Sequence, residues 1–80
     1  MSNLSEIVNR AIADYGFRQG VVWGTEDVAK QWQLSDRELS VLQETLVPEL
    51  EALPIPVEPA NIPAEQQRFA GLVRAAGLEP

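Results

Sequence analysis

The sequence contains no cysteine and no histidine, and its only lysine is Lys30. Disulfide bonds, thiolate or imidazole zinc sites, cysteine nucleophiles and histidine general bases therefore have no residues to build them. Serine and threonine hydroxyls are present, but a hydroxyl nucleophile needs an adjacent base to activate it. We therefore expect a protein that is not an enzyme, with no catalytic residue, no metal site and no cofactor.

Long apolar runs are also missing. No segment approaches the roughly 20 apolar residues that a membrane-spanning helix needs. The first residues, Met1–Glu6, have neither the basic region nor the apolar region of a secretory signal. The sequence therefore predicts a cytoplasmic protein with no membrane partner.

Positive charge is scarce and scattered. Twelve acidic residues stand against six basic ones, which gives a formal net charge of −6. The basic residues are Arg10, Arg18, Lys30, Arg37, Arg68 and Arg74. Because phosphate binding needs clustered basic side chains, we expect no nucleic-acid partner.

The negative charge is concentrated in the middle of the chain. Between Glu38 and Gln67 there are six carboxylates and no lysine or arginine; the carboxylates are Glu38, Glu44, Glu49, Glu51, Glu58 and Glu65. Such a run is typical of a solvated face. It is also the pattern expected of a surface that attracts a basic partner.

Eighty residues and 8.8 kDa, of which 45% are hydrophobic, allow one small domain. Apolar residues at helical spacing predict an all-α fold, a small bundle of four to five short helices. The first helix carries Leu4, Ile7, Val8, Ala11, Ile12 and Tyr15 on one face. Ser2 is its predicted N-cap, and Gly16 is the predicted break after it.

Two short segments follow. We interpret Phe17–Trp23 as a helix, because a strand at Val21–Trp23 would have no partner strand elsewhere in the sequence. Thr25 is the predicted N-cap of a third helix that ends near Gln33. Glu26 and Asp27 fall in its first turn, where the helix dipole favours acids, so we interpret them as capping residues rather than ligands of a hard cation.

The clearest local signal is a capping box, in which Ser35 and Glu38 each bind the other's backbone amide. A leucine stripe follows at helical spacing: Leu39, Leu42, Leu46, Leu50 and Leu53. Pro48 interrupts this stripe. Since proline removes a helical hydrogen bond and clashes with the preceding turn, the helix is expected to kink there or to end near Val47, with one further turn through Glu51.

The last third contains a proline-rich connector. We predict a helical cluster over 3–52, an extended connector over 53–62 and a C-terminal helix over 63–77. Gly77 and Leu78 are placed as the C′ and C″ residues of a Schellman motif. The connector also contains Pro56-Val57-Glu58-Pro59, which matches a PxxP ligand, although a spacer is the simpler interpretation.

These patterns predict a core and a set of candidate contacts. The expected buried residues are Ile7, Ile12, Phe17, Trp32, Leu39, Leu42, Phe69 and Val73. Trp23 lies just before a predicted break, where it either covers the end of the core or anchors a partner protein. The candidate partner-binding residues are therefore Trp23, Glu44, Glu49, Glu51, Pro56 and Pro59.

The stretch from Val8 to Leu42 carries a recognisable pattern. It contains Asp14, the Phe17-Arg18 pair, the acidic start Glu26-Asp27-Val28-Ala29, and Trp32-Gln33-Leu34-Ser35-Asp36-Arg37-Glu38-Leu39. This pattern resembles the LigA-type small subunit of ring-opening dioxygenases. It also resembles related helical domains that form the leader regions of ribosomally made, modified peptide precursors. The resemblance implies an all-α, non-catalytic domain that is bound by a larger enzyme or packs against it.

The sequence departs from such leader regions in ways that restrict their chemistry. Tyr15-Gly16 stands where a proline and an acid usually precede the phenylalanine, and no double-glycine cleavage site is present. No serine, threonine or cysteine follows Thr45, so a thioether, azoline or ester cannot form beyond it. Modification there would use backbone amides, acids, arginine, phenylalanine or the C-terminus.

Two functional hypotheses follow. In the first, the chain is a binding protein recognised by a larger biosynthetic enzyme, as a leader-like precursor or as a small accessory subunit. In the second, it is an acidic regulatory binder, similar to an inhibitor or an antitoxin, that covers a basic partner surface.

Overall fold

The computed structural model describes residues 3–78, and within them the chain is helical with no strand, which confirms the predicted all-α fold. The α-helices are α1 (Asn3–Ala13), α2 (Tyr15–Trp23), α3 (Thr25–Gln31), α4 (Asp36–Val41), α5 (Val47–Glu51) and α6 (Ile62–Ala75). A π-helical turn, Leu42–Leu46, joins α4 to α5, and a 3₁₀ turn, Pro59–Asn61, leads into α6. The predicted Ser2 cap lies outside the described residues.

The break between the first two helices lies at Asp14 rather than at Gly16. Asp14 has extended backbone angles (φ −131°, ψ 108°), and its carboxylate accepts a hydrogen bond from the Phe17 amide at 3.1 Å. An aspartate side chain satisfies an amide that the first helical turn leaves without a partner. Gly16 therefore falls inside the first turn of α2, and the prediction of a break there was wrong.

Thr25 does not cap α3, which corrects a second prediction. Gly24 occupies the N-cap position, and no side chain binds the first amides of α3. The Thr25 hydroxyl instead donates backwards to the Val21 carbonyl oxygen at 2.6 Å. It therefore satisfies the C-terminal end of α2, where carbonyl groups lack helical partners.

The junction between α3 and α4 combines two capping motifs. The Gln33 amide donates to the Lys30 carbonyl and the Leu34 amide to the Ala29 carbonyl, the pattern of a Schellman motif, with Gln33 in the left-handed region at φ 56°. The predicted capping box follows and is confirmed. The Ser35 Oγ accepts from the Glu38 amide at 3.1 Å, and the Glu38 carboxylate accepts from the Ser35 amide at 2.9 Å.

We expect Gln33→Gly to stabilise the protein. A side chain in the left-handed region carries a steric penalty that glycine lacks, and glycine is the preferred residue at this C′ position. The expected gain in the free energy of unfolding is about 0.5–1 kcal/mol. Urea unfolding followed by far-UV circular dichroism measures it, with the exposed Gln31→Gly, inside α3, as a control that should destabilise. A loss of stability in Gln33→Gly would contradict the prediction.

The chain stays helical on both sides of Pro48, and the irregularity lies in the turn before it. The π-helical turn precedes it, in which the Val47 amide donates to the Leu42 carbonyl five residues back. Pro48 then lies in the first turn of α5, where a missing amide hydrogen has little effect. The chain therefore passes the proline by inserting one extra residue in the preceding turn, and Leu42, Leu46 and Leu50 all remain fully buried.

The connector is tied to the core rather than extended throughout. Leu53 and Val57 are buried, the Ile55–Pro56 peptide bond is cis, and the 3₁₀ turn begins at Pro59. The C-terminal helix starts at Ile62, one residue before the predicted start, and ends at Ala75.

The predicted Schellman motif at the end of α6 is present. Gly77 has φ 79°, its amide donates to the Arg74 carbonyl at 2.9 Å, and the Leu78 amide donates to the Val73 carbonyl at 3.4 Å. Leu78 packs against the core, as the motif requires of its C″ residue. Arg37 reinforces this end by donating to the Ala76 carbonyl oxygen at 3.0 Å.

A single core joins the N-terminal helices to α6. Five of the eight predicted core residues are fully buried, and the other three are half-buried; the first group is Ile7, Ile12, Leu42, Phe69 and Val73, the second Phe17, Trp32 and Leu39. Phe17 and Trp32 meet edge to face at 6.2 Å between ring centroids. Because α6 packs against α1 and contributes Phe69, the C-terminal helix belongs to the same hydrophobic core as the rest of the chain.

Candidate functional site

Two large apolar side chains are strongly exposed, and both line one groove. Trp23 is 80% exposed and Ile55 is 67% exposed. The groove between them, called here the Trp23 groove, is lined by Tyr15, Arg18, Gln19, Val22, Trp23, Leu50, Glu51 and Ile55. It lies where α2 meets the end of α5 and the start of the connector. Exposed apolar surface gathered at a concave site is a feature of binding surfaces rather than of an ordinary solvated face.

One face of α2 holds the indole of Trp23 in place. Tyr15, Gln19 and Trp23 are spaced four residues apart, which puts their side chains one above another on the helix. The Trp23 indole N–H donates to the Gln19 Oε1 at 2.8 Å, and the Gln19 amide nitrogen donates to the Tyr15 hydroxyl. This hydrogen bond favours one orientation of the exposed ring, and such preorganisation reduces the entropy lost on binding.

Arg18 forms the floor of the groove and joins its two walls. Its guanidinium donates to the Leu50 carbonyl oxygen at 3.2 Å and to the Pro54 carbonyl oxygen at 2.8 Å, and it lies 4.8 Å from the centroid of the Tyr15 ring. A cation at the C-terminal end of α5 is favoured by the helix dipole. Arg18 is the one buried charged residue within the described part of the chain, and its Nε has no hydrogen-bond partner there.

The sequence prediction missed Arg18. The spacing of Arg18 indicates that it lies on an apolar face. It precedes Val21 by three residues and Val22 by four, which places all three on one face of the helix. An arginine on an apolar face is compatible either with a stem that reaches solvent or with a buried head that binds carbonyls. Only the position of the connector distinguishes these two cases.

The other side of Trp23 is acidic. A second depression, called here the acidic depression, is lined by Trp23, Gly24, Thr25, Glu26, Asp27 and Gln43. Glu26 and Asp27 are exposed and make no ion pair within residues 3–78. Trp23 therefore separates an apolar groove from two carboxylates that form no ion pair within the described part of the chain.

The three glutamates predicted to form one acidic surface lie in different environments. Glu49 is bound by Arg68 at 2.7 Å, and Arg68 also binds Glu65 at 2.9 Å. These hydrogen bonds, which Arg68 donates to Glu49 with the larger effect and to Glu65 with the smaller, raise the pKa of the Arg68 guanidinium above its ordinary value. Glu51 lines the Trp23 groove, whereas Glu44 is exposed on the π-helical turn and lines neither depression.

The two candidate prolines are exposed, but the segment that carries them is part of the fold. Val57, between Pro56 and Pro59, is buried in the core, and Pro59 begins a 3₁₀ turn. A PxxP ligand is recognised as an accessible polyproline helix. The segment does not present that form, so the structure is compatible with the spacer interpretation.

The described residues contain no group of three or more acidic side chains arranged to hold a metal ion. Over the same part of the chain, every helix is too short or too polar to cross a membrane.

Comparison of the chain with protein-family models, with curated protein sequences and with solved structures gives no match. The resemblance to the LigA-type small subunit and to leader domains therefore stays a prediction. A functional proposal therefore has to rest on the residues that line the Trp23 groove and on their exposure.

Proposed function

We propose that this chain is a non-catalytic, cytoplasmic binding domain that a larger partner enzyme recognises through the Trp23 groove. The observation that carries the proposal is the joint exposure of Trp23 and Ile55 on the two walls of one groove. Tryptophan is enriched among the residues that dominate binding energy at protein interfaces. The hydrogen bond from its indole to Gln19 gives it the fixed orientation that such an anchor requires.

Two forms of this function follow from the resemblance: a leader-like precursor and a small accessory subunit. In a precursor, the C-terminal part is the substrate and has to reach an enzyme active site. In this chain α6 supplies Phe69 and Val73 to the core, and Leu78 packs against that core. Because withdrawing α6 would expose the core, these contacts support the accessory subunit over the precursor.

The second candidate function is an acidic regulatory binder that covers a basic surface. Its support is three glutamates of the acidic run between Glu38 and Gln67 that are exposed and make no ion pair within the described residues: Glu44, Glu51 and Glu58. For this function the charge, rather than the indole, would dominate association. The two candidates therefore differ in how strongly binding depends on Trp23.

The test is calorimetric titration of the full-length chain with each enzyme that the adjacent genes of its native host encode. The full chain is needed because α6 completes the core. We expect Trp23→Ala to weaken binding by about 30-fold or more, which corresponds to the loss of about 2 kcal/mol expected for an interface hot spot. Arg74→Ala, an exposed change on α6 that lies outside both depressions, is the control and should leave the affinity within about twofold.

Three outcomes separate the possibilities. Absence of binding by the unmodified sequence would overturn the proposed function. Binding that tolerates Trp23→Ala but is lost in Glu44→Gln, Glu51→Gln and Glu58→Gln combined would favour the acidic regulator. The intact mass of the protein from its native host then distinguishes the two forms, because a mass change located after Pro54 indicates a precursor and an unchanged mass indicates an accessory subunit.

A further inference from the structure

We propose that the Trp23 groove and the acidic depression together bind a segment of a partner protein in which one bulky aliphatic side chain is flanked on both sides by lysine or arginine. This inference rests on the proposed function, since it names the chemistry of the partner at the same site. Three features support this ligand: the size of the groove, the carboxylates on both sides of it, and the wide spacing of the basic residues in this chain.

The groove has room for one apolar side chain. Its volume is about 160 Å³, and its upper walls are Trp23 and Ile55. An apolar cavity of about 150 Å³ is large enough to hold a molecule of benzene. A leucine, isoleucine or methionine side chain that enters between the indole and Ile55 would bury both exposed surfaces at once.

Carboxylates lie on both sides of that position. Glu51 lines the groove itself, while Glu26 and Asp27 line the acidic depression beyond the indole. None of the three makes an ion pair within the part of the chain that the structure describes. A cationic side chain that runs from the groove to the acidic depression would cross the face or edge of Trp23, where an aromatic ring attracts a cation.

Arg18 does not reverse this charge preference. Although it lines the groove, it is only 3% exposed, and its terminal nitrogens donate to the Leu50 and Pro54 carbonyl oxygens. Because it is buried, the guanidinium offers an incoming ligand almost no surface. The exposed charged residues that line the two depressions are Glu26, Asp27 and Glu51, on a chain with a formal net charge of −6. An anionic partner would be repelled.

The partner segment belongs to a different protein. This chain has no two basic residues closer together than Arg68 and Arg74, which are six positions apart in sequence. That pair encloses Phe69, Leu72 and Val73, which pack in the core of their own chain, so a folded second copy offers no free apolar side chain closely flanked by basic residues. Charge complementarity selects a basic, apolar segment of another protein over self-association.

The test uses a capped synthetic peptide with a central leucine and two lysines on each side, added to the ¹⁵N-labelled full-length chain. Two matched peptides replace the lysines with glutamates or the leucine with serine. We expect the indole N–H signal of Trp23 to shift with the lysine–leucine peptide, and both control peptides to bind at least about tenfold more weakly. Added salt should weaken the lysine–leucine peptide, because exposed charge pairs are screened.

Two triple variants locate the charges. Glu26→Gln, Asp27→Asn and Glu51→Gln combined should remove the preference for lysine over glutamate flanks and flatten the salt dependence. Glu6→Gln, Glu44→Gln and Glu58→Gln combined change the net charge equally, at exposed carboxylates that line neither depression, and should keep most of the preference. Equal binding of the three peptides, or equal effects of the two triple variants, would overturn the inference.

Failure of this inference is distinguishable from failure of the proposed function. If the partner enzyme binds in a Trp23-dependent way but the lysine–leucine peptide shows no preference, the groove is a docking site and the assigned ligand chemistry is wrong. If the peptide shows the preference and the neighbouring enzyme does not bind, the ligand chemistry stands and the assigned partner is wrong.

Discussion

Phe69→Ala is expected to lower the free energy of unfolding by about 3–5 kcal/mol, the range for removing a fully buried aromatic side chain. Phe69 is completely buried at the contact between α6 and the N-terminal helices. Eighty residues at roughly 0.05–0.15 kcal/mol each give a total stability of about 4–12 kcal/mol. The substitution therefore removes a large part of it. Guanidinium unfolding followed by far-UV circular dichroism measures the change.

Two control variants separate loss of the core from loss of the ring. Phe69→Leu keeps most of the apolar volume and should have a much smaller effect, about 1.5 kcal/mol or less. Phe17→Ala removes a half-buried ring at the edge of the core and should fall between them. An unchanged unfolding midpoint for Phe69→Ala would mean that α6 does not complete the core. The contacts of α6 would then no longer support an accessory subunit over a precursor.

Arg18→Met is the second change expected to have a large effect, a loss of about 2–3 kcal/mol in the free energy of unfolding. Methionine keeps an unbranched apolar stem, so the change removes the guanidinium together with its charge, its two hydrogen bonds and its contact with the Tyr15 ring. Those bonds satisfy the carbonyl oxygens of Leu50 and Pro54, 32 and 36 residues away in sequence. Without the guanidinium, the Pro54 carbonyl oxygen faces an apolar side chain, whereas the Leu50 carbonyl oxygen keeps the Leu53 amide as a donor at 3.2 Å.

A second effect of Arg18→Met acts in the opposite direction and raises the free energy of unfolding. Burying a cation without a carboxylate partner carries a desolvation penalty, and replacing buried ionic groups with apolar ones sometimes stabilises a protein. An Arg18→Met variant as stable as the natural sequence would show that this penalty equals the energy of the two bonds. Arg74→Met, at an exposed position whose side chain makes no hydrogen bond within residues 3–78, is the matched control and should change stability by about 0.5 kcal/mol or less.

Arg18→Met also tests the construction of the Trp23 groove. Since the guanidinium ties α2 to the end of α5 and to Pro54, its loss should free Ile55 to move relative to Trp23. The peptide and enzyme affinities should then fall in a variant that is still folded at low temperature. Retained affinity would show that the groove does not depend on this link.

The features that sequence reasoning predicted correctly are those decided within about one helical turn. The capping box of Ser35 and Glu38 and the Schellman motif at Gly77 and Leu78 depend only on residues three to five positions apart. The buried stripe Leu42, Leu46 and Leu50 follows from helical spacing in the same way. Short-range geometry leaves few alternatives for such patterns.

The local predictions that were wrong are those where two capping residues compete. Asp14 and Gly16 both permit a helix boundary, and the aspartate prevails because its carboxylate satisfies the Phe17 amide. At the next boundary, the Thr25 hydroxyl has a carbonyl acceptor behind it and an amide donor ahead of it, and it binds the Val21 carbonyl. Sequence alone does not rank such alternatives, because each satisfies one backbone group.

By itself, the sequence determined the helical class, the motifs at the ends of α4 and α6, and the absence of thiol and imidazole chemistry. The tertiary structure decided which surfaces are available. It placed Ile55 beside Trp23, buried Arg18 under the connector and bound Glu49 to Arg68, pairs that are distant in sequence. The physical reason is that exposure and pairing depend on how helices pack against one another, and that packing is a property of the whole core rather than of any single segment.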